Sequence, residues 1–338
     1  MGEHTTLGDA LVPVLVLIDV EPDGFFVERT DTSPWTGFER SVEVMDEVRE
    51  VLARRTGRPA HFIWLVRADE QVAAIYGSAG WAFERYRREF ETLRAAEDEI
   101  GVHVHAYRWD DRAGNWIEDY GNQDWVERCV RTGVGAFEER FGCPPAAFST
   151  GMDWTNQATI RLVSGLAIRY EFSAILGREP QPFPPRDAYT GVAPDCSRIP
   201  ARPYHPRADD FLSAGADGED GPWLIPQSSR VARIFPSFKR GLWDLLHLQP
   251  IAPRCTRKLF LQDDPAEIQP AIADVLRSLE RPYLTLAVRT DEYSRPNSTA
   301  IVRRNLERVL DHPDAGRFVF TRPDEALRTL GYVPGEHR

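Results

Sequence analysis

VLVLIDVE, residues 14–21, decides the reading of this chain. Five apolar β-type residues in unbroken succession describe a strand buried on both faces, as in a parallel sheet, and the run then ends in two carboxylates, Asp19 and Glu21. Strand alternation puts those two side chains on one side of the chain. Either could bind a cation or act as a base, and a capping aspartate followed by a loop at Glu21 is the plainer alternative. Eighty residues on, EIGVHVHAY (99–107) repeats the pattern with imidazoles: His103 and His105 are also two apart, so both rings point the same way and could meet one ion at about 2.0–2.1 Å. Two histidines and a carboxylate leave positions open for water and substrate, which is the arrangement of a catalytic rather than a structural ion.

Around these runs, strand candidates alternate with amphipathic helical stretches. The strands are 14–19, 60–66, 101–107, 147–150, 170–174, 283–289 and 317–321; the helices are 40–55, 81–99, 125–141, 156–166, 265–279, 300–310 and 323–330. Such alternation predicts a parallel sheet covered by helices, closed or distorted into a barrel. Asp153 or Thr155 is expected to cap the helix at 156, and Pro323 falls in the first turn of the last helix. Residues 177–221, which include QPFPPRD and AGADGEDG, are expected to form a long irregular insertion in one domain spanning 8–335.

Bulk properties exclude several classes of function. A net charge of −11 with no long basic run argues against a nucleic-acid partner. No segment approaches the roughly 20 apolar residues of a membrane span, and residues 1–12 lack the basic-then-apolar order of a secretion signal, so a cytoplasmic protein without a membrane partner is expected. Cys129, Cys143, Cys196 and Cys255 are widely spaced, which suits reduced thiols better than a disulfide framework or a zinc knuckle.

With these motifs in hand, the chain resembles the polysaccharide deacetylase (NodB-homology) superfamily from about residue 14 to 331. The resemblance implies a distorted (β/α)7 barrel and a metal-dependent hydrolase of non-peptide C–N bonds, most directly a deacetylase of an N-acylated amino sugar or related small metabolite. IDVE matches the first family motif, which implies Asp19 as base and Glu21 as metal ligand. The second motif usually spaces its histidines four apart; here His105 follows His103 by two, and Tyr107 stands at the fourth place. FSTGMDWTNQATIRLVSGLAIRYEFS (148–173) resembles the third, with Ser149 where an arginine is common. RIPARPYHP (198–206), with Arg202 and Tyr204, is similar to a substrate-side loop.

In TLAVRTDEY (285–293), Arg289 occupies the place where the family offers a proton-donating histidine. Arginine stays protonated and cannot cycle as an acid, so Arg289 and Asp291 are candidate catalytic groups through charge, and Asp291, Glu292, His205 and His247 are candidate donors. Arg67 and Asp69, at the end of the second strand, either pair with each other or clamp a substrate anion. Tyr107 and Trp154 complete the candidate substrate-binding set, since sugar rings stack on aromatic faces. The implied cofactor is a divalent metal, zinc first, with iron, cobalt or nickel also compatible. A catalytically altered protein that binds a saccharide or metabolite without cleaving it, and a ureide or cyclic-amide hydrolase, are the alternatives.

Overall fold

Nine consecutive residues of strand β1 (Val12–Val20) are buried, and the rest of the sheet is arranged around them. The computed structural model describes residues 10–23, 32, 34–182, 189–216, 221–233, 254–294 and 297–332. Along the chain follow α1 (Thr36–Thr56), β2 (Ile63–Arg67), α2 (Glu70–Tyr76), α3 (Trp81–Arg85), α4 (Arg87–Ala95), β3 (Glu99–Val104), β4 (Tyr107–Asp110), β5 (Asn115–Asp119), α5 (Gln123–Phe141), β6 (Ala147–Thr150), α6 (Gln157–Gly165) and β7 (Tyr170–Glu171). The insertion holds only the short strands β8 (Gln181–Pro182), β9 (Tyr189–Thr190) and β10 (Val192–Ala193) among its described residues. The remainder is β11 (Trp223–Leu224), β12 (Ser229–Arg233), β13 (Arg254–Lys258), α7 (Pro265–Ser278), β14 (Leu284–Arg289), α8 (Ser298–Leu310), β15 (Phe318–Phe320) and α9 (Pro323–Thr329).

The main sheet is parallel, in the order β11-β7-β6-β3-β2-β1-β14, with β15 added beside β1. β1 has three neighbours because β15 pairs with its first residues, Val12 to Val14, and β2 with its last, Leu17 to Val20. Between the outer strands, chain without long strand pairing completes the curl. Gln227 N donates to Ala174 O at 2.8 Å, Ser228 N to Thr285 Oγ1 at 2.6 Å, and Ala287 N to Leu259 O at 2.8 Å. The result is the expected distorted (β/α) barrel, and its strand carboxyl ends bring Asp19, Arg67, His103, Ser149 and Arg289 to one rim.

Local chemistry departs from expectation in three places. The predicted helix 81–99 is broken at Tyr86 (φ −111°, ψ 34°). Its two pieces pack as separate short helices, and its last residue, Glu99, already belongs to β3. Asn156, rather than Asp153 or Thr155, caps α6 by accepting from Thr159 N at 2.8 Å. A hairpin, β4 and β5, and a short helix, α2, follow the third and second strands where no element was expected. Among the described residues no helix is long and apolar enough to cross a membrane.

Candidate metal centre

Parallel pairing of β1, β2 and β3 places the ends of those strands side by side, and three donor atoms meet there. Glu21 Oε1 lies 2.9 Å from His105 Nε2 and 3.2 Å from His103 Nε2, and the two Nε2 atoms are 3.1 Å apart. All three residues are buried, and their donor atoms form, among the described residues, a group that could hold a metal ion. Donors bound to one ion at about 2.0–2.2 Å sit roughly 3 Å from each other, so this triangle has the dimensions of a shared cation. Hydrogen bonding alone accounts for it less well, because two imidazole nitrogens face each other and compete for one carboxylate oxygen.

The atoms on the far side of each donor are also held. His103 Nδ1 meets Ser149 Oγ at 2.7 Å, and His105 Nδ1 meets Glu118 Oε1 at 2.5 Å. Such outer contacts fix the tautomer and aim the ring of a metal-ligating histidine. Glu21 Oε2 accepts from Arg67 Nη1 at 2.9 Å. Burial works against the Glu21 carboxylate, but His105 and Arg67 together hold it well below the ordinary carboxylate range. Burial likewise works against a charged His105, yet Glu21 and Glu118 push it up to about 9. Both shifts record negative charge gathered around the His105 ring, and a divalent ion bound there would take the place of the His105 proton.

Backbone conformation shapes the neighbouring wall. A Cβ at Gly151 would stand 2.2 Å from the His105 ring, so the ring packs where only glycine leaves room. The next two residues, Met152 (φ 55°) and Asp153 (φ 51°), are both left-handed, a conformation that costs side-chain-bearing residues energy and turns Asp153 toward the site. There Asp153 Oδ1 meets Lys258 Nζ at 2.8 Å, and the same ammonium reaches Asp19 Oδ2 at 3.3 Å.

The other sequence candidates fall into distinct groups. Arg67 is buried and each of its three nitrogens has a partner: Nε donates to Asp69 at 2.8 Å, Nη1 to Glu21 and Nη2 to Gln71. Asp69 caps α2 through Gln71 N and Val72 N and also accepts from His105 N. Both are buried and form the frame behind Glu21 and His105, where an open substrate clamp was expected. Tyr107 is buried, stacked on His105 with centroids 5.3 Å apart and the Arg67 guanidinium 5.0 Å from its ring, so it takes the place of neither a ligand nor an open platform. Trp154 is buried against Tyr120 at 4.8 Å.

Arg202 is exposed and lies with Ser278, Glu280 and Arg281, beside the chain that enters β14, at the opposite end of the sheet from the metal centre. Tyr204 is buried and donates to Phe211 O at 2.8 Å, inside the small second core. These positions correct the expected substrate-side loop. Arg289 and Asp291 stay at the rim but grip each other, Nε to Oδ1 at 3.1 Å and Nη2 to Oδ2 at 3.0 Å. Burial pushes Asp291 up to about 6 against the pull of Arg289. His205 packs on Trp223 at the amino end of β11 and is no donor to the site, and His247 lies outside the described residues. Sequence reading missed Glu118, Gln71, Asp153 and Lys258; of these only Lys258 carried a signal, being one of two lysines, with Lys239, among 41 basic residues.

No protein-family model matches the chain, and no curated protein matches it by sequence. Solved structures do match. A protein of Parabacteroides distasonis designated a glycoside hydrolase/deacetylase superposes with a TM-score of 0.51 and 10% identity, over 93% of this chain and 70% of that one. Two designated polysaccharide deacetylases give similar figures: one from Pseudomonas aeruginosa PAO1 (TM-score 0.49, 14% identity, 95% and 91% of the two chains) and one from Mycobacterium smegmatis (0.48, 12%, 98% and 94%). At 10% identity the Parabacteroides distasonis likeness speaks for the fold alone and leaves the chemistry to the residues. By fold, this chain is a distorted (β/α) barrel, similar in architecture to the Parabacteroides distasonis protein.

Proposed function

We propose that the chain is a metal-dependent hydrolase of a non-peptide C–N bond, acting on an N-acylated amino sugar or a related small metabolite. The observation that carries this reading is the meeting of Glu21 Oε1, His103 Nε2 and His105 Nε2 within 3.2 Å of one another, beside a further carboxylate, Asp19, on the same strand. Two imidazoles and one carboxylate suit zinc first, and also iron, cobalt or nickel. A divalent ion bound there supplies Lewis acidity to a carbonyl oxygen and makes water more acidic.

The protein's own part follows from the geometry. Glu21, His103 and His105 would hold the ion, with Arg67, Ser149 and Glu118 aiming them. Asp19, oriented by Lys258, would take the proton of the attacking water. A base of this kind contributes about 100- to 10,000-fold, so Asp19→Asn should nearly abolish turnover while the protein still binds its metal. Acetate release from a panel of N-acetylated sugars, with metal content measured on the same samples, checks both halves. Full activity in the Asp19→Asn protein removes the assignment.

One observation favours a second reading, binding without cleavage: Arg289, paired with Asp291, cannot give up a proton at the place where the fold's hydrolases are expected to carry an acid. Tight metal with no hydrolysis of any amide, ureide or cyclic amide would select it.

A further inference from the structure

Amide cleavage needs a second proton transfer, because an amine leaves far more readily when its nitrogen is protonated as the C–N bond breaks. Among the described residues, the histidines other than His103 and His105 are His61, His205 and His312. His61 and His312 flank the amino ends of β2 and β15, and His205 packs at the amino end of β11, all away from the metal-centre rim. Arg289 holds its protons permanently, and both oxygens of Asp291 are taken by Arg289. Among the described residues beside Asp19, the ammonium of Lys258 is a charged group that is able to release a proton.

Three independent features set Lys258 apart. Its Nζ lies 3.3 Å from Asp19 and 2.8 Å from Asp153 while its side chain keeps 10% exposure, so it is buried but not sealed from the site. Asp153 reaches it only through two successive left-handed residues, and that costly conformation is pinned by Arg178 Nη1, which donates to Met152 O at 2.9 Å and Asp153 O at 3.1 Å. The third is composition: of 41 basic residues only two are lysines, so the cation facing Asp19 is of the rare type that can surrender a proton.

We propose that Lys258 is the general acid of this site, delivering the proton that the departing amine requires. The assignment rests on the amide-hydrolase reading above. As water adds to the acyl carbon, its proton passes to Asp19. The C–N bond then breaks, its electron pair stays on nitrogen, and that nitrogen takes a proton from Lys258 Nζ. Asp19 returns its proton to the neutral lysine across their 3.3 Å contact, so both groups end as they began and the net change is amide plus water to acid plus amine. At rest, burial opposes the ammonium but Asp153 and then Asp19 hold it charged.

Two acyl donors that differ in their leaving group test this on the purified, zinc-loaded full chain. Acetanilide loses an amine that needs a proton, whereas 4-nitrophenyl acetate loses a phenolate that does not. Lys258→Arg keeps the charge and the ion pairs, and is expected to lose about 100- to 10,000-fold on the anilide while staying within a few-fold of the parent on the ester, with unchanged zinc content. Lys258→Ala is expected to regain anilide turnover with added methylammonium, a result that holds even if the arginine variant does not fold. Equal losses on both substrates without amine rescue, or no loss on either, overturn the role of Lys258 and leave the hydrolase reading standing. A parent protein inert toward both substrates and toward the N-acetyl sugar panel overturns both.

Discussion

Arg67 Nη1 holds one oxygen of Glu21, Oε2, at 2.9 Å, and thereby turns the other, Oε1, onto the facing nitrogens of His103 and His105. The arginine is buried and binds three partners at once, Glu21, Asp69 and Gln71, in a planar fork that an ammonium cannot reproduce. Arg67→Met should therefore weaken metal binding about 10- to 100-fold, the usual cost of losing a group that orients a ligand. It also leaves Glu21 and Asp69 buried without their cation, a loss of about 3–5 kcal/mol in stability. Chelator competition and urea unfolding read the two effects separately, and Arg67→Lys should recover neither in full. Wild-type metal affinity in Arg67→Met would show that Glu21 is aimed by something else.

Gly151→Ala offers a purely steric probe of the same centre. The added methyl would begin 2.2 Å from the His105 ring, which Tyr107 backs on another side at 5.3 Å between centroids. The ring has to swing, and its Nε2 then leaves Glu21 as its Nδ1 leaves Glu118. Overpacking of this kind costs about 1–3 kcal/mol, so the protein should remain folded with unchanged far-ultraviolet circular dichroism while metal affinity falls at least about tenfold. Unaltered metal binding would mean that His105 is not a ligand.

The parts of this site that the sequence disclosed are those carried by strand alternation. Asp19 with Glu21, and His103 with His105, are each two apart at the end of an apolar run, and the barrel brings those runs together. What stayed hidden depends on register and on distant chain. Ser149 reads as a missing arginine until the β3–β6 register sets it opposite His103, and Glu118 reads as an ordinary hairpin carboxylate until β5 folds back under His105. Arg67 and Asp69 look like rim residues because a charged pair after a strand is normally exposed; here α2 and Tyr107 cover them, and burial converts a plausible clamp into a frame. Arg202 and Tyr204 were misplaced because an irregular stretch has no periodicity from which its path over the barrel can be inferred.

Glu171, at the end of β7, is buried with Oε1 accepting from Ser173 N at 2.9 Å and Oε2 without a hydrogen-bond partner. Burial pushes this carboxyl up to about 7, with the Ser173 bonds pulling the other way and Asp153 adding to the rise. An acid whose folded-state value lies above its unfolded one binds more protons in the native state between the two, so stability falls as pH rises from about 4.5 to 7 and stays reduced above that range. Glu171→Gln removes the titration. The variant should be more stable than the parent at pH 8, by up to about 3 kcal/mol, with the advantage shrinking steadily as pH is lowered toward 4.5, where Glu171 is protonated in both states. Urea unfolding of both proteins at pH 5 and pH 8 measures the difference. A gap that is the same at the two pH values would mean that Glu171 is not the group whose ionisation strains the barrel interior.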